Sequence, residues 1–256
     1  MTELSRAAVY AAPGFGDDAV ASRLCERAQA WLGRAVDGAP LARECPPGWT
    51  REQVDEITVA ARSYGFHGTL KAPFRLDEGR TLTGLCDAVD ELAAASSPVV
   101  IPRLTLAPLG GFLALVPGGE APDLQALADA AVTGLDRFRA PLTERERERR
   151  RPETLTERQR GLLDRWGYPY VLDEFRFHLT LTDSIPSGRR PGVQQALQSW
   201  FGEYLGADLV LDAVAVFTQE GPTAPFVVHS VHRLAGPDRT HSTTHSASPA
   251  LEGTDR

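Results

Sequence analysis

Apolar and polar residues alternate without a break over 174–182. Phe175, Phe177, Leu179 and Leu181 fall on one side; Arg176, His178, Thr180 and Thr182 fall on the other. Successive strand side chains point to opposite faces, so this period of two predicts a half-buried strand at 175–182. Residues 65–76 read as a second such strand. Residues 6–12, 99–106, 111–117, 207–218 and 225–234 read as further strands, with a turn at 108–110. The helical period appears over 17–32, where Val20, Leu24, Ala28 and Trp31 are in phase. It recurs over 83–95 with Leu85, Val89 and Leu92, over 123–138, and over 191–205 with Val193, Leu197 and Phe201. Residues 40–49 read as a loop, and 50–60 fit either a short helix or an extended run. The first part of the chain thus reads β-α-β-α-β-β-α and the second α-β-α-β-β. Superposed, they share a β-α-β-β core, a weak internal duplication in element order.

Between the two parts, residues 143–166 are densely charged, with alternating Glu and Arg before a proline and again after it. Glu/Arg pairs at helical spacing read as a solvated pair of helices. Thr156 followed by Glu157 marks the start of the second helix. The competing reading brings the arginines of 149–151 to an anionic substrate, and these are not counted among the site residues. From Gly236 onward the chain is polar and rich in Ser and Thr, which predicts a disordered tail over 236–256. His241 and His245 lie in that tail and are discounted as metal ligands. His229 and His232, three apart on a strand, face opposite ways and read as structural or surface histidines.

Composition narrows the class. The 256 residues are 42% hydrophobic, enough for a good core in one large or two small domains. A formal net charge of −7 argues against an extended nucleic-acid surface. Three cysteines, Cys25, Cys45 and Cys86, are an odd number without close spacing, which reads as reduced thiols. No run of about 18 apolar residues occurs, and no apolar stretch follows the N-terminus. The expectation is a soluble, cytoplasmic protein with no membrane contact; its oligomeric state is not legible.

The candidate chemistry lies in a pattern that occurs twice: His67-Gly68-Thr69-Leu70 and His178-Leu179-Thr180-Leu181, each preceded by a phenylalanine and offset by 178 − 67 = 111 residues. On strands, His67, Thr69 and Lys71 would share one face, as would Arg176, His178 and Thr180. Two imidazoles and two hydroxyls form a matched set for acid/base chemistry at one tetrahedral anionic centre, a phosphate ester.

Paired His-x-Thr motifs of this kind resemble the 2H phosphoesterase superfamily, which includes 2′,3′-cyclic phosphodiesterases and bacterial RNA ligase-like proteins. Longer stretches are more specific: the runs 64–76, 165–170 and 174–182, with Trp31-Leu-Gly-Arg34 and residues 111–117. They resemble the DUF1045 family, whose members are labelled for phosphonate metabolism because of their operon neighbours. The likeness runs from about Ala8 to Ala235. It implies an α+β fold of two pseudo-symmetric lobes, each an antiparallel sheet with flanking helices, around a central cleft. The lobes would fall roughly at 1–140 and 165–235, with a charged helical connector at 141–165, as one bilobal domain over 1–235.

The expected activity is metal-independent hydrolysis of a small, cyclic phosphodiester, in phosphonate or nucleotide metabolism, with no cofactor. One histidine takes a proton from water and the other protonates the leaving alkoxide, while Thr69 and Thr180 donate to phosphoryl oxygens. Lys71 and Arg176 are candidate cations for the substrate. Tyr64 lies three residues before His67, and Gly65 between them allows a turn that brings it to the cleft. Two other classes compete: a non-catalytic module that binds a phosphorylated sugar or nucleotide, and a metal-dependent hydrolase in which Asp183 or Glu174 joins the histidines as ligands.

Overall fold

The computed structural model describes residues 6–39, 41 and 44–236. The predicted tail, with His241 and His245, therefore lies outside the described residues apart from Gly236. In chain order the elements are β1 (Arg6–Ala11), α1 (Ala19–Leu32), α2 (Arg51–Glu56), α3 (Val59–Tyr64), β2 (Gly68–Phe74), α4 (Leu82–Ala94), β3 (Val99–Ile101), β4 (Thr105–Leu109), β5 (Phe112–Val116), α5 (Pro122–Gly134), α6 (Glu144–Glu148), α7 (Glu157–Trp166), β6 (Leu179–Thr180), α8 (Arg190–Trp200), β7 (Leu209–Leu211), β8 (Ala213–Gln219) and β9 (Val227–Arg233). Helix ends follow local chemistry. Asp18 caps α1 through Ala21 N–H at 2.6 Å, and Gly33 ends it in the left-handed region. Thr50 with Gln53, Thr143 with Glu146 and Thr156 with Gln159 close capping boxes at α2, α6 and α7. The charged segment is thus a pair of helices.

All sheet pairings are antiparallel, giving the α+β class. Seven strands run in the order β4-β5-β6-β2-β1-β8-β9, and β3 pairs with β7 in a separate two-stranded ladder. The large sheet has two halves, β4-β5-β6 and β2-β1-β8-β9, joined by one residue pair, Gly68 with Leu179. Each half draws on both parts of the sequence: β6 from the second part inserts beside β5 from the first, and β8 pairs with β1. The halves in space therefore interleave the stretches 1–140 and 165–235.

Three expected strands are shorter than their pattern. The run 99–106 is divided at Arg103, whose backbone is left-handed at φ 44°. The run 207–218 is divided at Asp212, whose carboxylate leaves the ladder and accepts the N–H groups of Asp17 and Asp18. The strand expected at 175–182 pairs only at Leu179–Thr180. The β5–β6 register, carried back two residues from Leu179, sets Phe177 opposite Pro117, which has no N–H to give. Residues 172–174 form a 3-10 turn instead.

The sheet is buried on both sides at β1. Ala7, Val9 and Ala11 join the main core beneath α1 and α4, with Leu24, Trp31, Leu70, Phe177, Leu179 and Leu181. Ala8, Tyr10 and Ala12 join a smaller cluster on the opposite face with Val36, Phe217 and Phe226. That second face carries the site. Among the described residues no helix is long and apolar enough to cross a membrane.

Candidate active site

The Gly68–Leu179 pair relates the two motifs. Extended by one residue each way, this antiparallel register sets His67 opposite Thr180 and Thr69 opposite His178. Gly68 and Leu179 point into the core, so the other four side chains share the opposite face. Gly68 is required there: a Cβ at that position would lie 2.3 Å from the Phe177 ring, which passes beneath it. A cavity of about 360 Å³ opens over the four, lined by His67, Thr69, His178 and Thr180 with Tyr10, Tyr64 and Phe112 among others.

Both imidazoles are oriented in one way. His67 donates Nδ1–H to the carbonyl of Gly65 at 2.9 Å, and His178 donates Nδ1–H to the carbonyl of Arg176 at 2.8 Å. A carbonyl only accepts, so each Nδ1 carries a proton and each Nε2 is left to act as base when the ring is neutral. The Thr69 hydroxyl lies 3.3 Å from His67 Nε2. His67 is 9% exposed and stacks on Tyr10 with ring centroids 3.8 Å apart. Burial pushes its pKa down to about 4, the Gly65 carbonyl opposes this, and the neighbouring His178 adds to it. His178 is only partly buried, with Phe112 at 5.6 Å.

Trp31-Leu-Gly-Arg34 braces both motifs from outside. Trp31 Nε1 donates to the Leu181 carbonyl at 2.7 Å, at the end of the second motif. The Arg34 guanidinium donates to the carbonyls of Arg62, Ser63 and Phe226, which fixes the end of α3 before the first. Tyr64, the last residue of α3, stacks on Phe226 and lines the cavity with its ring centroid 6.2 Å from that of His67. The turn at Gly65, at φ 80°, brings it there.

Lys71 corrects the expected alternation. Against β1, Thr69 pairs with Tyr10 and Lys71 with Val9, so Leu70 is an extra residue in a bulge. The bulge turns Lys71 to the core side, away from the histidines. There the sole lysine of the chain is 3% exposed and donates to Val132 O at 3.0 Å and Asp136 Oδ1 at 3.1 Å. It forms an ion pair on the core side and does not line the cavity.

Arg176 is exposed and lines a neighbouring recess of about 460 Å³ with Phe112, Tyr168, Tyr170 and His178. Of the carboxylates weighed as metal ligands, Asp183 lines the cavity and Glu174 the neighbouring recess, and each is already held by other groups. Asp183 accepts the N–H groups of Ala60 and Ala61 at the start of α3, and Glu174 accepts from Gln159. His232 is buried between Asp90 and Ser230, while His229 is exposed.

Three contributors were not anticipated. Tyr10, from an apolar run, forms the floor under His67. Arg6 and Arg150 line the cavity from β1 and from the turn after α6. The triple arginine at 149–151 was the only sequence signal for either cation.

An antiparallel α+β sheet carrying two His-x-Thr segments across one register pair defines the class of this protein. The chain belongs to the DUF1045 family: the family described as "Protein of unknown function (DUF1045)" matches residues 69–227. It is 37% identical over 248 residues to a protein named ribose 1,5-bisphosphate phosphokinase PhnN from Janthinobacterium sp. (strain Marseille), covering 95% of this chain and 54% of that one. It is 39% identical over 183 residues to a protein of the same name from Laribacter hongkongensis (strain HLHK9), covering 70% of this chain and 40% of that one. The chain thus spans about half the length of the curated relatives it matches. A solved structure of E. coli LigT complexed with NADP+ aligns at 11% identity and a TM-score of 0.39, covering 91% of this chain and 98% of that one.

Proposed function

We propose that the chain is a metal-independent phosphodiesterase that hydrolyses a small cyclic phosphodiester by two-histidine catalysis. The observation that carries this reading is the matched tautomer. Both Nδ1 atoms are tied to carbonyls two residues upstream, so two Nε2 atoms and two threonine hydroxyls converge on one face. His67, held neutral by its burial, takes the proton of a water whose oxygen attacks phosphorus. His178, the more exposed ring, is the acid and gives its Nε2 proton to the departing alkoxide as the P–O bond breaks. Thr69 and Thr180 donate to the non-bridging oxygens, where charge grows in the transition state. The product is a phosphomonoester with a free hydroxyl.

The name of the relatives, which concerns a doubly phosphorylated ribose, supports a ribose-based substrate. It does not extend to kinase chemistry here: the sequence holds no Gly-x-x-x-x-Gly-Lys-Ser/Thr loop, and its sole lysine is the buried Lys71.

The test is hydrolysis of 2′,3′-cyclic nucleotides and of ribose 1,2-cyclic phosphate 5-phosphate with EDTA present, for wild type, His67→Ala and His178→Ala. Turnover that survives EDTA and is lost in both variants supports the reading. Tight binding without turnover would make the chain a binding module, and turnover abolished by EDTA would return a metal to the site.

A further inference from the structure

Arg6 and Arg150 line the catalytic cavity, and neither has a carboxylate partner among the described residues. Arg6 is held by a neutral group, with Nε and Nη2 both donating to Gln219 Oε1. The Arg150 guanidinium lies over the Tyr168 ring at 4.8 Å. Beyond the histidines the cavity continues into a recess of about 160 Å³ shared by Arg6, Tyr64, Arg149 and Arg150, which none of the four motif side chains lines. The carboxylate that borders it, Glu146, is already bound by Arg75 at 3.1 and 3.2 Å and by Thr143. Burial opposes its ionisation, but those hydrogen bonds outweigh it and hold its pKa at about 2. The free charge of the recess is therefore positive. Backbone strain supports the arrangement: Arg151, a non-glycine residue, is left-handed at φ 48°, and Arg150 lies in the turn between it and Arg149, the C-cap of α6.

We infer that this recess is a second anion subsite, which takes a terminal phosphomonoester of the substrate while the diester lies on the histidines. Two guanidiniums gathered without a counter-ion repel each other until an anion sits between them, and a phosphate dianion matches their donors. The inference rests on the phosphodiesterase reading for the diester half of the substrate. It narrows the substrate class to diesters that carry a second phosphate.

The experiment has two arms. In the first, calorimetry measures binding of ribose 5-phosphate and of ribose to wild type, His178→Ala, Arg150→Gln and Arg150→Lys. Ribose 5-phosphate is expected to bind wild type and His178→Ala alike. It should bind Arg150→Gln roughly 10- to 100-fold more weakly, and ribose should show no such difference. Arg150→Lys should recover part of the loss, which separates lost charge from lost folding. In the second arm, kcat/KM is compared for ribose 1,2-cyclic phosphate with and without its 5-phosphate. The 5-phosphate should raise kcat/KM by about 10- to 100-fold, mainly through KM, and the advantage should collapse in Arg150→Gln. Hydrolysis of both at equal kcat/KM, indifferent to Arg150, overturns the subsite and leaves the phosphodiesterase standing. Arg150-dependent binding without any hydrolysis keeps the subsite and overturns the phosphodiesterase. Failure of both arms overturns both.

Discussion

His67 and His178 sit in nearly the same four residues of sequence and in different surroundings. Each ring is aimed by a carbonyl two residues upstream, so local geometry repeats. What covers them does not. His67 is buried against the Tyr10 ring at the floor of the cavity and followed by a full strand; His178 borders two recesses and is followed by a two-residue strand. A repeated motif supplies matched donors and acceptors, and the unmatched shell then divides the labour between them. In the proposed chemistry the buried ring is the base and the open ring is the acid.

Leaving-group chemistry breaks or sharpens this contrast with the largest effect. His67→Ala and His178→Ala should each lower kcat on an alkyl cyclic diester by about 10²- to 10⁴-fold. On a p-nitrophenyl phosphodiester, whose leaving group needs no proton, His178→Ala should recover most of its rate while His67→Ala stays slow. Equal recovery in both variants would remove the assignment of base and acid.

Acid titration probes the burial difference directly. An unfolded histidine has a pKa near 6.5, and folded His67 has one of about 4. Between those values the unfolded chain binds a proton that the folded chain refuses. Stability contributed by neutral His67 is thus complete above about pH 6.5 and is lost as pH falls toward 4. The loss is on the order of 3 kcal/mol. Urea midpoints at pH 7 and pH 4.5 should show it in wild type, and His67→Asn should shrink the difference. A variant whose acid sensitivity equals that of wild type would count against a neutral buried His67.

Part of this contrast was legible in the sequence and part was not. Alternation placed both motifs on strands with their histidines and threonines on one face, because the period of two survives in 67–70 and 178–181. It failed at Lys71, since Leu70 is an extra residue against β1 and turns Lys71 to the core side; a second register shift before Phe74 restores the alternation there, and in Leu-Lys-Ala-Pro only Pro73 hints at an irregular strand. It overextended β6, since pairing depends on a partner's proline 60 residues earlier in the chain, which the strand's own pattern does not contain. Tyr10 and Arg6 are close to the motifs only through the β1–β2 and β1–β8 pairings, which are non-local. Helices with local stop signals, such as 17–32, came out nearly as read.

Lys71 tests whether the bulge separates structure from chemistry. Lys71→Met removes a buried ammonium whose pKa is lowered by burial against the opposing pull of Asp136. Asp136 keeps Arg139 at 2.8 Å, so the carboxylate is not stranded. A stability loss of about 2 kcal/mol is expected, below the usual cost of orphaning a buried charge. The folded fraction should keep the kcat of wild type. A large kcat loss at unchanged stability would place Lys71 back among the substrate contacts.

Tyr10 carries the smallest expected effect and addresses the shell itself. Its ring stacks on His67, but its hydroxyl is fully buried with no partner among the described residues. An unpaired buried hydroxyl costs stability, and removing it while keeping the ring should return about 1 kcal/mol. Tyr10→Phe is therefore expected to raise the urea midpoint and to leave the acid sensitivity of His67 in place, because the ring that stacks on His67 is kept. Tyr10→Ala, by contrast, opens one wall of the cavity and should let water reach His67, so its pKa climbs back toward 6.5. NMR titration of the His67 ring protons in the two variants reads this directly. If both variants shift His67 equally, the hydroxyl rather than the ring controls the base, and the division between the two histidines has a polar origin.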